Sequence, residues 1–179
     1  MEDLFTDSIK KYAPLADRVR PQTLDEFVGQ THIIKKGGII EQAIKKGTLG
    51  SCIFFGPPGT GKTTLANIIA KNCNAEFVKL NAVSSNVGEV KQTIDTARNN
   101  LKLFGKRTYL LLDECHRFNK AQSDSMLEAI EDGSIIFIGS TTENPFTNMT
   151  RAIVSRCKVF EFMPLKKDDI KLAVLNAIK

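Results

Sequence analysis

Directly after the apolar run Ser51–Phe55 the chain reads Gly56-Pro57-Pro58-Gly59-Thr60-Gly61-Lys62-Thr63, and an amphipathic stretch opens at Lys62. No other feature constrains the fold so tightly. The spacing G-x-x-x-x-G-K-[ST] between a strand and a helix curls the backbone sharply, which glycines tolerate, and points successive N–H groups at one spot. The helix that follows adds the positive end of its dipole there, so the cradle suits phosphate oxygens. In that arrangement Lys62 reaches the β- and γ-phosphates of a nucleoside triphosphate, and the Thr63 hydroxyl takes a place on Mg2+. A glycine turn without a ligand is the alternative, and the strand-loop-helix context weighs against it.

That unit extends into a regular alternation. Apolar runs at Phe77–Leu80, Thr108–Leu112, Ile135–Ser140 and Lys158–Phe162 join Ser51–Phe55 as five predicted strands. Each is too continuously apolar to face water on either side, as in a parallel sheet covered on both faces. Predicted helices fill the gaps at Lys62–Cys73, Asn86–Leu103 and Asn119–Ile130. The second carries Val87, Val90, Ile94, Ala97 and Leu101 at three- and four-residue spacing, a core-facing stripe, and Gly133 is placed to end the third. A helix at Gly38–Lys46 precedes the sheet, behind an irregular arm containing Pro14 and Pro21. Another begins at Asp168 after Pro164 and is expected to continue in a domain beyond Lys179. The fold class is α/β, a five-stranded parallel sheet flanked by helices. A chain of this length buries roughly 70% of the surface exposed when unfolded, so the core needs neither disulfide nor metal.

The run Leu110-Leu111-Leu112 ends in Asp113-Glu114. Side chains at the carboxyl end of a central parallel strand open into the crevice where such sheets bind ligands. Asp113 is then placed to join the Mg2+ shell, and Glu114 to polarise a water for in-line attack on the γ-phosphate. A fourth strand lying between the first and third would deliver the hydroxyls of Ser140-Thr141-Thr142-Glu143-Asn144 beside the same phosphate. Thr142 is the choice for sensing phosphate or orienting water, with Thr141 and Asn144 as rivals and a turn or cap role open for each.

Asp113-Glu114-Cys115-His116 also spells the D-E-x-H signature of superfamily 2 helicases, which keeps a DNA helicase or translocase as an alternative function. Those enzymes use two tandem α/β domains, and 179 residues accommodate one. His116 accordingly reads either as a surface side chain after a strand or as a nucleic-acid contact. The net charge of +5 is concentrated, since residues 51–108 hold eight Lys/Arg against three Asp/Glu, which suits polyanions. Lys102, Lys106 and Arg107 alone read as a solvated helix face. The four cysteines are too far apart for paired metal-ligand spacing and read as reduced core thiols. No apolar run approaches the roughly 20 residues of a membrane span, and the acidic start Met1-Glu2-Asp3 is not a secretory signal, so a cytosolic location is expected.

Together these residues resemble the N-terminal ATPase domain of an AAA+ protein in the clamp-loader clade, and more narrowly the replication-associated recombination protein A family. The Werner helicase interacting protein is its eukaryotic relative. The resemblance runs from about Pro14 to Leu165. It rests on Pro14–Pro21 with Leu24–Gln30, Gly56–Thr64, Asp113–Gln122, Glu131-Asp132-Gly133, Thr141-Thr142-Glu143-Asn144-Pro145 and Ser155-Arg156-Cys157. It implies a P-loop NTPase with an AAA+ core and, at the end, only the start of a helical lid. It divides the chain into an arm at 1–35 that contributes to an adenine pocket, the ATPase core at 36–163 and a truncated lid at 164–179.

By the same resemblance Arg20, Pro21, Val28 and Gly29 lie nearest the base, where the residues alone show a Pro-restricted loop and a capped turn. Asn81 matches the polar switch residue that restrains the catalytic glutamate, and a turn role is equally open. Arg156 matches the arginine finger that enters a neighbouring subunit's site, which implies a homo-oligomer and a monomer that hydrolyses ATP poorly. Residues Phe146–Arg151 depart from the pattern expected before that finger. The implied cofactors are ATP and Mg2+. The implied partners are single-stranded or forked DNA, further copies of the chain, and single-stranded DNA-binding protein or other replisome components. The implied function is ATP-driven action at stalled or damaged replication forks, with a nucleotide-stabilised, non-hydrolysing interaction module as a further alternative.

Overall fold

The computed structural model describes residues 14–73 and 75–178. The part of the arm that precedes Pro14 lies outside them. A short helix α1 (Leu15–Arg18) and the helix α2 (Ile39–Lys46) lead into β1 (Cys52–Phe55), α3 (Lys62–Asn72), β2 (Glu76–Asn81), α4 (Val87–Phe104) and β3 (Thr108–Asp113). A 3-10 turn (Cys115–Arg117), α5 (Lys120–Glu131), β4 (Ile135–Thr141), two one-turn helices α6 (Pro145–Asn148) and α7 (Arg151–Val154), β5 (Lys158–Glu161) and α8 (Lys167–Ile178) follow. The one-turn helices between β4 and β5 carry no period long enough to show in the sequence.

The strands form one sheet in the order β2-β3-β4-β1-β5, every neighbouring pair parallel. β4 lies between β1 and β3, as the hydroxyl-bearing strand end required. Register aligns the carboxyl ends: Asn81 sits opposite Asp113, Asp113 opposite Ser140, and Phe55 opposite Thr141. One rim of the sheet therefore gathers the loop after β1, the acids after β3 and the hydroxyls after β4.

Alternation along the strands separates two core layers. Phe54, Tyr109, Leu111 and Ile138 pack with Ile40, Leu65 and Ile69 from α2 and α3. Ile53, Leu110, Leu112 and Phe137 pack with Val90 and Ile94 of α4 and Met126 of α5. β4 is buried at every residue. The expectation that all five strands exclude water fails at the sheet's edges, where β2 exposes Lys79 and β5 exposes Lys158 and Glu161. A strand with one neighbour has a rim to solvate, and those charged residues solvate it.

Helix ends follow local chemistry. The Asn86 side chain accepts from the Glu89 backbone N–H at 2.9 Å to start α4. Asn119 and Gln122 form a reciprocal capping box at the start of α5, and Gly133 lies just past that helix's cap at Asp132. All four cysteines are free. Burial pushes the Cys52 and Cys115 thiols well above the ordinary range and Cys157 up to about 12, so they stay protonated and serve as small apolar side chains.

Candidate nucleotide site

The loop between β1 and α3 is shaped by contacts at both ends. Gly56 has φ 146°, its N–H donates to the Thr141 carbonyl at 3.1 Å, and a Cβ there would come within 2.2 Å of the Phe162 carbonyl oxygen. Gly61 has φ 98°, and a Cβ would lie 2.6 Å from the Phe27 ring. Both positions need glycine twice over, for backbone conformation and for space. The Thr60 hydroxyl donates to the Pro57 carbonyl at 2.8 Å and braces the curl.

Lys62 opens α3 and is buried. Its Nζ donates to the Gly56 and Pro57 carbonyls at 2.7 and 2.8 Å. Burial pulls its pKa below the ordinary lysine value, against the opposing pull of Asp113 and Glu114. A desolvated cation at the head of a helix interacts with phosphate oxygens far more strongly than a solvated one.

These groups border a cavity of about 1000 Å³, at the upper end of ordinary ligand sites. Its floor is the loop and helix head from Pro58 to Thr64, including Gly59, Thr60, Gly61 and Thr63. Arg20, Pro21 and Val28 contribute from the arm, and Asp113, Glu114, Ser140 and Thr142 from the sheet rim. Gly29 lies behind that lining, against Leu165 and Asp169, while Gly56 and Pro57 hold Lys62 from beneath.

The three candidate hydroxyl and amide groups at and beyond the end of β4 separate cleanly. Thr142 borders the cavity. The Thr141 hydroxyl is 2.8 Å from His116 Nδ1 and accepts from the Glu143 N–H at 3.0 Å. The Asn144 side chain accepts from the Phe146 N–H and starts α6. Asn81 Oδ1 accepts from the Val83 N–H at 2.8 Å, the turn geometry that its residue type favours. Arg156 is not among the residues that line the cavity. Its guanidinium donates to the Ala152 carbonyl at 2.8 Å and pairs with Glu131, and its side chain is 39% exposed.

The acids adopt unequal backbone conformations. Asp113 closes β3, with Lys79 Nζ 3.6 Å from its carboxylate. Glu114 has φ 54°, a left-handed conformation that costs a non-glycine residue roughly 1–2 kcal/mol and marks sites where a side chain must be aimed. The following turn holds it, with the Arg117 N–H donating to the Glu114 carbonyl at 2.9 Å. Thr63 and Asp113 border the same cavity, and a hydroxyl and a carboxylate supply hard oxygen donors of the kind that fit Mg2+.

Some of the lining was not legible in the sequence. Leu165, Ala173 and Asn176 close the cavity from the chain after β5. Ala173 and Asn176 are three apart and share a face of α8, the one signal that could have grouped them. Gln30 was also missed as a structural centre: it is buried at φ 52° and donates from Nε2 to the Thr60 carbonyl at 3.3 Å and the Met163 carbonyl at 2.7 Å. Its Oε1 accepts from the Met163 N–H at 2.9 Å.

Sequence and structure comparisons agree with this geometry. The replication-associated recombination protein A of Haemophilus influenzae is 45% identical over 94% of this chain and 37% of its own length. The ATPase WRNIP1 of Dictyostelium discoideum is 44% identical over 95% of this chain and 19% of its own length. The chain therefore spans well under half the length of these relatives. The solved structure of the Thermotoga maritima RuvB Holliday junction branch migration motor superposes with a TM-score of 0.73 at 30% identity, covering 88% of this chain and 53% of that one. Residues 19–152 match the family described as the Holliday junction DNA helicase RuvB P-loop domain. With its parallel sheet, phosphate loop and acid-tipped third strand, the chain belongs to that family of AAA+ P-loop domains and is similar along its length to replication-associated recombination protein A.

Proposed function

We propose that this chain is the Mg-ATP-dependent ATPase domain of a cytoplasmic, nucleoid-associated oligomer that works on DNA at stalled or damaged replication forks. The observation that carries the reading is the convergence of Lys62, Thr63, Asp113, Glu114 and Thr142 on one cavity at the carboxyl rim of a parallel sheet. Adenine would lie toward Arg20, Pro21 and Val28, with the triphosphate directed along the loop. Mg2+ held by Thr63 and Asp113 would neutralise phosphate charge. Lys62 exchanges its carbonyl partners for phosphate oxygens, keeping its hydrogen bonds while gaining an opposite charge. Glu114 takes the proton of a water as its oxygen bonds to the γ-phosphorus and the bond to the β-γ bridging oxygen breaks, and Thr142 orients that water or the departing phosphate.

Arg156 is the residue assigned to the subunit contact in this reading. Exposed and outside its own cavity, it would reach a neighbour's γ-phosphate by giving up Glu131, and that contact would end when the γ-phosphate leaves. Asn81 would restrain Glu114 across the rim only by giving up its hold on Val83. The similarity to the Holliday junction DNA helicase RuvB P-loop domain and the basic surplus over residues 51–108 support DNA as the partner. The test is ATP turnover measured against protein concentration with single-stranded, forked and blunt duplex DNA. Rates per subunit that climb with concentration and with forked or single-stranded DNA are expected. Tight ATP binding without phosphate release under every condition would replace the reading with a non-hydrolysing interaction module.

A further inference from the structure

Of the string Asp113–His116 the proposed ATPase mechanism uses the two acids and leaves Cys115 and His116 without a part. His116 is neither a surface histidine nor an exposed nucleic-acid contact: its side chain is 8% exposed. The 3-10 turn that carries it is pinned by Cys115, which is buried with its thiol against the Met149 sulfur at 3.5 Å. From that turn the imidazole reaches three groups. Nδ1 is 2.8 Å from the Thr141 hydroxyl and 3.7 Å from Glu114 Oε2, and Nε2 is 3.6 Å from Glu143 Oε1.

These neighbours belong to two different strand ends. Glu114 follows β3, while Thr141 and Glu143 flank Thr142 after β4. Thr141 is a fixed point, since it ends the fully buried β4, its carbonyl accepts from Gly56 in the phosphate loop, and its hydroxyl accepts from the Glu143 N–H. The ring is therefore anchored on the side of Thr142 and presents an edge to Glu114. A carboxylate on a left-handed residue has few rotamers that avoid its own backbone, so a flanking ring edge selects among them.

We propose that His116 is a positioning residue that couples Thr142 to Glu114, taking its bearing from Thr141 and setting where the Glu114 carboxylate rests. The inference builds on the reading of Glu114 as the water-activating group and Thr142 as the phosphate contact. A shift of Thr142 and Glu143 when the γ-phosphate arrives or leaves reaches Nε2 through the Glu143 carboxylate and turns the ring about its Thr141 anchor toward Glu114, so turnover responds to phosphate occupancy without any new contact to the nucleotide.

The test compares His116→Ala, His116→Asn, Thr141→Val and the pair His116→Ala/Thr141→Val in the full chain, with single-turnover hydrolysis and binding of a fluorescent ATP analogue. His116→Ala is expected to lower the hydrolysis rate about tenfold while changing analogue affinity less than about twofold, the pattern of a misplaced group as opposed to a lost binding contact. His116→Asn, whose amide can occupy the place of Nδ1, should recover most of the rate. The pair should be no slower than the worse single variant, because both substitutions break one linkage.

A second readout is independent of turnover. The chain has two histidines, His32 and His116. In a 15N-histidine spectrum the His116 signals should move on addition of a non-hydrolysable ATP analogue, and that response should shrink in Thr141→Val. An unchanged rate in His116→Ala, a rate loss matched by affinity loss, or multiplicative effects in the pair would each overturn the coupling. Should His116→Ala fail to fold, Thr141→Val carries its expectation of a slower rate at nearly unchanged affinity, while His116→Asn still keeps most of the rate. Glu114→Gln measured alongside separates the two layers: turnover retained there overturns the role of Glu114, whereas turnover lost there and kept in His116→Ala overturns the coupling alone.

Discussion

α3 and α8 are nearly the same length and border the same cavity, yet they are held in opposite ways. α3 buries Lys62, Leu65, Ala66, Ile68, Ile69 and Ala70 among its eleven residues, while α8 buries none of its twelve. Ile170, Leu172, Val174 and Leu175 are each about half exposed on α8. One wall of the nucleotide cavity is thus part of the core, and the facing wall rests on it through few side chains. The phosphate end of a ligand would meet a surface already set by folding. In the 179-residue chain, contacts with the ligand would therefore order α8 more than α3.

The largest effect expected is on the fixed wall's chemistry. Lys62→Ala should weaken ATP binding at least about a hundredfold, since it removes a buried charge at the phosphate position, whereas Glu114→Gln should keep binding and block turnover. Equilibrium titration and phosphate release separate the two, and unchanged hydrolysis in both would break the assignment. Stability comes next. Leu65→Ala in α3 should cost about 3 kcal/mol in denaturant unfolding, and Leu172→Ala in α8 about 0.5 kcal/mol or less. Equal costs would erase the contrast between the helices.

Hydrogen exchange sharpens it further. An ATP analogue should slow exchange in α8 by more than in α3, because local opening is suppressed most where the unliganded element is least anchored. Smallest is a control remote from the cavity. Arg98 joins Glu128 and Asp132 at 2.8 Å, linking α4 to α5, and Arg98→Ala should cost about 0.5 kcal/mol and leave nucleotide affinity unchanged. Partial burial pushes the Asp132 pKa up, but hydrogen bonds from Ser134 and Arg98 outweigh it and hold the carboxyl below its ordinary value. A depressed carboxyl stabilises the fold above its unfolded pKa and loses that stabilisation as pH falls through the folded one. The Arg98→Ala penalty should therefore be full near neutrality and fade below about pH 4.

Local signals made much of this readable in the chain. Glycine spacing, an apolar strand and a lysine fixed the loop within a few consecutive residues, and the periodic stripe of α4 set Val90, Ile94 and Ala97 on its buried face. What escaped depends on neighbours distant in the chain. His116 looked solvated because its turn is polar, and only the docking of β4 against β3 covers it. The choice between Thr141 and Thr142 turns on strand alternation at a β-strand's final residue, where one position in or out of the ladder reverses the facing. The half-exposed edges β2 and β5 read like the buried strands, because composition does not tell a strand how many partners it will find.

Gln30 bears on the order in which the molecule is assembled. Its amide joins a carbonyl 30 positions away to both backbone groups of a residue 133 positions away. Closing so long a segment is entropically slow, and its contacts mature after nearby ones. Beyond its local Thr60–Pro57 bond, the loop therefore gains the Gln30 brace in full only once the chain through Met163 has docked onto the sheet. ATP capture during refolding should lag the appearance of helical and sheet signal, making nucleotide affinity a measure of whether this long-range closure has occurred.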